Sequence, residues 1–181
     1  MSRRLLAAVA VFALLAIVSP EGADNRALNV TPIAREGQVL VSFELSDGIT
    51  PEVKDAIHSG LPTTFSYQID VSRGTSGWFD RTLASVTVAA TVRFDNLTRR
   101  YHLSRTLDGR VGDTKPTEDQ ELMRRWMTRF EQVPVVATAA LETNGEYAVR
   151  VRAQARPHNT LFVWPWDRGT ISGDAKFTFI P

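Results

Sequence analysis

Residues 82–107 read TLASVTVAATVRFDNLTRRYHLSRTL, and this stretch decides the fold class. From Thr82 to Phe94 every second residue faces one way and most of these are apolar, which is the pattern of a long β-strand with one buried face. Asp95-Asn96 interrupts the pattern, and alternation resumes through Tyr101 and Leu103. Because the interruption is short, the stretch predicts an antiparallel hairpin.

The same two-residue alternation predicts strands on both sides of this hairpin. They cover residues 39–45, 64–71, 135–141, 147–155 and 175–179. Asp108-Gly109 predicts a turn after the first hairpin. Asn144-Gly145 is a strong signal for a two-residue hairpin turn between residues 135–141 and 147–155. The sequence thus predicts about seven strands.

Two helices are predicted between the strands. The first has Thr50 as N-cap, Pro51 at its first position and Gly60 beyond its end. The second is predicted over 117–132, with Thr117 and Gln120 as a capping box and Pro134 as the stop. Its apolar residues share one stripe, namely Leu122, Met123, Trp126, Met127 and Phe130. We therefore predict a β-rich α+β fold, an antiparallel sheet curled or doubled into a sandwich with two packed helices.

The N-terminus has the three parts of a secretory signal. Arg3 and Arg4 precede an uninterrupted apolar run from Leu5 to Val18, and residues 19–23 then break that run. The run is short for a spanning helix, which needs about 20 apolar residues. We predict a cleaved signal segment over 1–23, a lead-in over 24–37 and one β-rich domain over 38–181. The alternative is an uncleaved inner-membrane anchor over residues 5–19, and in both cases the domain is exported to the periplasm or beyond.

Composition limits the chemistry of the domain. The 181 residues include no cysteine, which rules out disulfides and thiolate metal sites. Residues 24–181 carry 19 basic and 19 acidic side chains. A neutral domain has no overall field that attracts nucleic acid, so we predict no nucleic-acid partner. We also predict no metal and no cofactor.

A family resemblance rests on the order of short motifs. Thr50-Pro51-Glu52-Val53 leads to Ser59-Gly60-Leu61-Pro62, and a turn with Trp78, a hairpin with Tyr101, a helix before Val133-Pro134 and a strand with Tyr147 follow. Over residues 38–180 the chain resembles a family of uncharacterised bacterial exported or envelope proteins catalogued only as a domain of unknown function. The resemblance implies an envelope location and brings no catalytic residues. Residues 162–166 depart from the Leu-Pro-rich loop expected at that place.

Residues with catalytic or metal-binding potential are scattered. The histidines are His58, His102 and His158, and none has a second histidine or acid at metal-ligand spacing. Residues 74–77 (Gly-Thr-Ser-Gly) lack the spacing and the following helix of a hydrolase elbow. The acids Asp113, Glu118, Asp119 and Glu121 surround a predicted helix start, where negative charge is stabilising. The sequence therefore predicts a protein that is not an enzyme.

Two surface features are candidate contacts. Arg150, Arg152 and Arg156 share the outward face of one strand, either as a solvated face or as a patch for an anionic partner. Phe162, Trp164 and Trp166, followed by Arg168, form either a lid over the core or a contact with a partner or a membrane surface.

From these features we predict a non-catalytic exported envelope protein that acts as a protein-interaction or assembly module. The alternative is a carrier that holds a lipid-like apolar ligand in an internal cavity. A hydrolase with no visible motif comes third.

Overall fold

The computed structural model describes residues 27–73, 81–157 and 171–180. Within them the chain forms nine strands and two α-helices. The strands are β1 (Leu28–Arg35), β2 (Gln38–Leu45), β3 (Thr63–Arg73), β4 (Arg81–Asp95), β5 (Arg100–Leu107), β6 (Arg110–Thr117), β7 (Arg129–Ala137), β8 (Glu146–Pro157) and β9 (Ile171–Thr178). The helices are α1 (Pro51–His58), between β2 and β3, and α2 (Gln120–Thr128), between β6 and β7.

The strands form two antiparallel sheets that pack face to face. The small sheet has the order β1-β2-β7, and the large sheet has the order β6-β5-β4-β3-β8-β9. The predicted hairpin pairs β4 with β5 from Val88 opposite Leu107 to Asp95 opposite Arg100. The predicted class, a β-rich antiparallel fold doubled into a sandwich, is confirmed.

The core lies between the two sheets because alternate residues of the inner strands point into it. Phe43 of β2 packs against Tyr67 of β3 with ring centroids 4.9 Å apart, and Phe130 of β7 stacks on Phe43 at 5.0 Å. Around these rings, valines of β2, β3, β4 and β8 are almost completely buried. Residues in β3 at odd numbers are buried, and those at even numbers are only partly covered. The strand period therefore sorts β3 into one apolar and one polar face.

Helix α1 packs on the large sheet at β3 and β4, and its predicted start is confirmed. The Thr50 side chain accepts a hydrogen bond from the Val53 amide at 3.4 Å, and Pro51 opens the helix. Val53 and Ile57 are fully buried. Gly60 follows the helix at φ 84°, a left-handed conformation that glycine adopts without steric cost.

The predicted second helix is wrong at both ends. Asp119 is the N-cap, not Thr117, and its carboxylate accepts from the amides of Glu121 and Leu122 at 2.8 and 3.2 Å. The helix ends at Thr128, and the chain continues directly as β7 through Pro134. Pro134 fits there because β7 is an edge strand of the small sheet.

Two strands and one connection also differ from the sequence expectation. Residues 28–35, expected as part of a lead-in, form β1, and residues 110–117 form β6. Residues 138–140 form a short 3-10 turn where a strand was predicted. Asn144 does adopt a left-handed turn conformation at φ 60°. The predicted hairpin there is wrong, because β7 and β8 lie in different sheets.

Strands β1 and β9 bring the two sheets together along one side. Gly173 of β9 has no room for a side chain, since a Cβ atom there would lie 2.1 Å from the carbonyl oxygen of Leu28. Glycine at this position lets the two backbones approach closely. The sandwich is thereby drawn together at the side formed by β1 and β9.

Candidate binding surface

The outer face of the large sheet carries two of the arginines singled out in β8, Arg150 and Arg152. Arg150 donates to Asp174 of β9 at 2.6 Å, and Arg152 donates to Asp70 of β3. Arg156 lies opposite Thr64 in the same strand pairing. An anionic partner that approached Arg150 or Arg152 would have to compete with these carboxylates.

Asp70 is the centre of a hydrogen-bonded group on this face. Partial burial raises the pKa of Asp70, but hydrogen bonds from Ser85, Gln68 and Arg152 outweigh it and hold the pKa below its ordinary value. The Ser85 hydroxyl donates at 2.7 Å and the Gln68 amide at 3.1 Å. This group ties β3, β4 and β8 together on the solvent side.

A groove of about 530 Å³ lies on the outer face at β4, β5 and β6. Arg93, His102 and Lys115 are among the residues that line it, and Lys115 lies opposite the buried Leu103 in the strand pairing. Three hydroxyl side chains line it as well, Thr91, Ser104 and Thr114. The strand register explains their proximity, because Arg93 lies opposite His102, and Thr91 and Thr114 both lie opposite Ser104.

The walls of the groove are partly apolar. Pro62, just before β3, and Pro116, on β6, belong to its lining. Among the described residues that line the groove none is acidic. The surface that results combines positive charge, hydroxyl groups and apolar ring carbons.

His58 and His102 each have a neighbour that accounts for their position. His58 Nε2 shares a hydrogen bond of 2.9 Å with the Tyr101 hydroxyl and packs edge-on against Phe94 at 5.3 Å. His102 Nε2 lies 4.0 Å from Asp95 Oδ2. His58 therefore links α1 to the β4–β5 hairpin, and His102 belongs to the groove.

Arg105 lies on the inner face of β5, and no sequence motif singled it out. Its guanidinium donates to the carbonyl oxygens of Trp126 and Arg129, both at 2.6 Å, where α2 becomes β7. It also lies 4.4 Å from the ring centroid of Trp126 and 4.2 Å from that of Phe130. Burial lowers the pKa of this guanidinium. Arg105 holds the helix-to-strand junction in place.

A second, shallower cavity of about 350 Å³ borders this junction. Arg105, Arg125, Trp126 and Arg129 contribute to its wall. Arg129 is paired with Glu131 at 2.9 Å, and Arg105 is occupied by backbone carbonyls. Arg105 and Arg129 at this cavity are therefore already engaged in contacts within the fold.

Several predicted site residues lie outside the described ranges. They are Phe162, Trp164, Trp166 and Arg168 of the aromatic segment, His158, and residues 74–77. Asp119, from the acidic cluster, serves as the helix cap described above. Within 27–73, 81–157 and 171–180, no three His, Cys, Asp or Glu side chains form a group that fits a metal ion. In the same ranges neither helix is long and apolar enough to cross a bilayer.

Fold and surface together define a class, an antiparallel β-sandwich closed by two helices whose large sheet has a polar, grooved outer face. The chain belongs to the family described as domain of unknown function DUF4390, which matches residues 23–159. The resemblance noted from the sequence motifs, to a family known only as such a domain, is confirmed in this respect. Neither a curated protein nor a solved structure matches the chain.

Proposed function

We propose that this protein is a non-catalytic, exported envelope protein that acts as an interaction or assembly module. The observation that carries the proposal is the packing of the interior. Among the described residues, Phe43, Tyr67 and Phe130 pack against one another between the sheets with ring centroids 4.9 to 5.3 Å apart. A carrier of a lipid-like molecule needs an apolar cavity of several hundred Å³ in that place. This close packing in the described part of the interior supports a module that binds through its surface.

Three polar residues with known partners support the same proposal. His58 binds Tyr101, Arg105 binds backbone carbonyls, and Arg152 binds Asp70. Each of these groups is engaged in holding two elements of the fold together. These side chains therefore have structural roles that do not require a substrate.

The aromatic segment 162–166 is the contact that we propose for a protein partner or a membrane surface. Trp is a residue type that dominates interface energetics, and Pro165 reduces the conformational entropy lost on binding. The double variant Trp164→Ser/Trp166→Ser separates a contact from a structural lid. For a contact, partner or membrane association is lost while the melting temperature barely moves. Unfolding of the variant, or normal binding by a folded variant, contradicts this assignment.

Photo-crosslinking in intact cells tests the module directly. The full-length chain would carry a photoreactive residue at Trp164, with a matched control at Ala34, which is exposed on β1. We expect a discrete crosslinked species from Trp164 and none from Ala34. If neither position gives a species beyond background, the interaction role is wrong. An apolar ligand that copurifies and is extracted in stoichiometric amount would favour the carrier instead.

Export is tested separately with a reporter enzyme that is active only outside the cytoplasm. Fused after Pro181, the reporter is expected to be active because Arg3, Arg4 and the apolar run that follows form an export signal. A full-length but inactive fusion would contradict the envelope location. A fusion that lacks residues 1–23 is the matched control and should be inactive.

A further inference from the structure

We propose that the open edge of β4 binds an extended segment of a partner protein by β-strand addition. The open edge consists of residues 81–86, which lie beyond the end of β5. It is a different surface from segment 162–166 and does not depend on the proposed function.

Strand β4 is longer than its pairing with β5. It pairs with β3 along residues 81–92, whereas its pairing with β5 begins at Val88. The last contact on the β5 side is made by Thr87. Its carbonyl oxygen accepts from the Asp108 amide and its own amide donates to Asp108 Oδ1, both at 2.8 Å. In the described part of the chain, no strand lies beside residues 81–86 on that side.

The backbone of Ser85 is directed toward the open side. In a β-strand the N–H and C=O groups of every second residue point the same way, so those of Ser85 point in the direction of those of Thr87. The register with β3 is regular over both residues. Asp108 binds the Thr87 groups, whereas the described ranges place no strand beside Ser85. A backbone donor and acceptor at a sheet edge bind either water or another strand.

The other edges of the two sheets, as far as the described ranges show them, have features that discourage strand addition. Strand β6 includes Lys115 and Pro116, β7 includes Pro134, and β1 and β9 pack against each other. Lysine, proline and a covered edge are the means by which native sheets avoid pairing with other chains. Residues 81–86 contain neither lysine nor proline. Their register with β3 shifts at Leu83, which limits the added strand to a few residues.

The two faces of the open edge define the side chains of the partner strand. Val86 lies opposite the buried Ile69 and therefore on the inner face, whereas Ser85 makes the outer face polar. Leu107, the last residue of β5, is 37% exposed although it lies opposite the buried Val88. A partner strand with apolar residues at alternate positions would cover Leu107 and leave its polar residues on the outer face.

Amide hydrogen exchange of the full chain, followed by NMR, tests whether the edge is open. We expect the Ser85 amide to exchange fast and the Val86 amide, which points toward β3, to be protected. Equal protection of the two amides would show that the edge is already paired, and the proposal would then be wrong.

Strand addition itself is tested with a capped heptapeptide, Lys-Thr-Val-Thr-Val-Thr-Lys, which alternates apolar and polar side chains. The matched control has the same sequence with N-methyl groups on the amides of its threonines and valines, which removes those backbone donors. Saturable amide shifts around Ser85 with the first peptide, and none with the second, support the proposal. No shifts, or equal shifts with both peptides, overturn it.

The variant Ser85→Pro tests the same contact from the side of the protein. It removes the outward N–H, and proline is tolerated where a strand N–H faces solvent, so β4 should stay paired with β3. The control Ser85→Ala also loses the hydroxyl bound to Asp70 but keeps the N–H. We expect Ser85→Pro to bind the heptapeptide about tenfold more weakly than Ser85→Ala.

Circular dichroism establishes that both variants are folded before their affinities are compared. Equal affinities of the two folded variants would contradict strand addition at this edge. If Ser85→Pro does not fold, the comparison of the two peptides on the parent chain still decides.

Discussion

The inner and outer faces of the large sheet share the same backbone but differ in what their side chains do. Tyr67 and Gln68 are neighbours in β3, yet Tyr67 is 0% exposed and packs against Phe43 and Phe130, whereas Gln68 bonds to Asp70 and Ser85 at the surface. One face stabilises the fold by excluding water. The other face is polar, and it holds the groove. The comparison predicts large effects of substitution on one face and small effects on the other.

The largest effect is expected for Tyr67→Ala. It removes a fully buried ring between the sheets, and such large-to-small changes cost about 3–5 kcal/mol of unfolding free energy. Gln68→Ala, one residue along on the outer face, should change the stability by about 0.5 kcal/mol or less. Urea unfolding at pH 7 measures both. A loss below about 1 kcal/mol for Tyr67→Ala would show that the inner face does not contribute more to the stability than the outer face.

The next effect is expected for Arg105→Met, which tests a charge that lies on the inner side of the sheet. The carbonyls of Trp126 and Arg129 lose their donor, and unsatisfied groups of this kind cost about 1–3 kcal/mol. Arg110→Met, on the exposed strand β6, is the matched control and should change the stability by about 0.5 kcal/mol or less. Equal stabilities of the two variants would contradict a structural role for Arg105.

A smaller loss is expected for Tyr67→Phe, which keeps the ring and removes the hydroxyl alone. That hydroxyl donates to the carbonyl oxygen of Met127 at 2.8 Å inside the core. Burial raises the pKa of Tyr67, so the group stays protonated and able to donate. The variant should lose about 1 kcal/mol, the typical contribution of such a bond. If Tyr67→Phe is as unstable as Tyr67→Ala, the ring is not what fills the interior.

The smallest effect, and one that depends on pH, is expected for Asp70→Asn on the outer face. At pH 7 the variant should lose up to about 1 kcal/mol, the upper range for ion pairs near the surface. Because the pKa of Asp70 is lowered in the folded state, its stabilisation is present above the unfolded pKa and is lost as the pH falls through the folded pKa. Chemical unfolding at several pH values should therefore show the gap to the parent closing below about pH 4. A gap that is constant from pH 7 to pH 3 would contradict this account.

Strands with one buried face were predictable from sequence, and strands without one were not. Val39 to Leu45 and Phe65 to Val71 alternate because the core covers every second residue. Strand β6 is exposed along almost its whole length, and β1 is exposed beyond Val30. In β6 there is no hydrophobic alternation to detect, and in β1 it is confined to Leu28 and Val30. Their pairing is determined by the neighbouring strand.

The length of α2 was mispredicted because its apolar stripe has two different causes. Met123 and Met127 are buried at helical spacing, and Phe130 is buried as part of the strand that follows. The spacing is the same in both cases, so periodicity extends the helix too far. Trp126, which we expected at the centre of the buried stripe, is only partly buried beneath Arg105.

The groove could not be predicted because it depends on register. Pro62, Arg93, His102 and Pro116 come from four segments, and none of them forms a local motif. The pairing of β3 with β4, of β4 with β5 and of β5 with β6 brings them to one place. The arginines of β8 had a visible pattern in the sequence, but the carboxylates that pair with them lie on other strands.

The pairing of β3 with β8 has a consequence for when the protein can fold. These strands are central to the large sheet, yet Thr63 lies opposite Pro157 and Arg73 lies opposite Tyr147, more than 70 positions apart in the chain. Contacts of such long range require closure of a large loop first, and this slows folding. A growing chain that has not yet reached Glu146 lacks the strand that completes the centre of the sheet. The large sheet therefore cannot be completed until β8 and β9 have been synthesised.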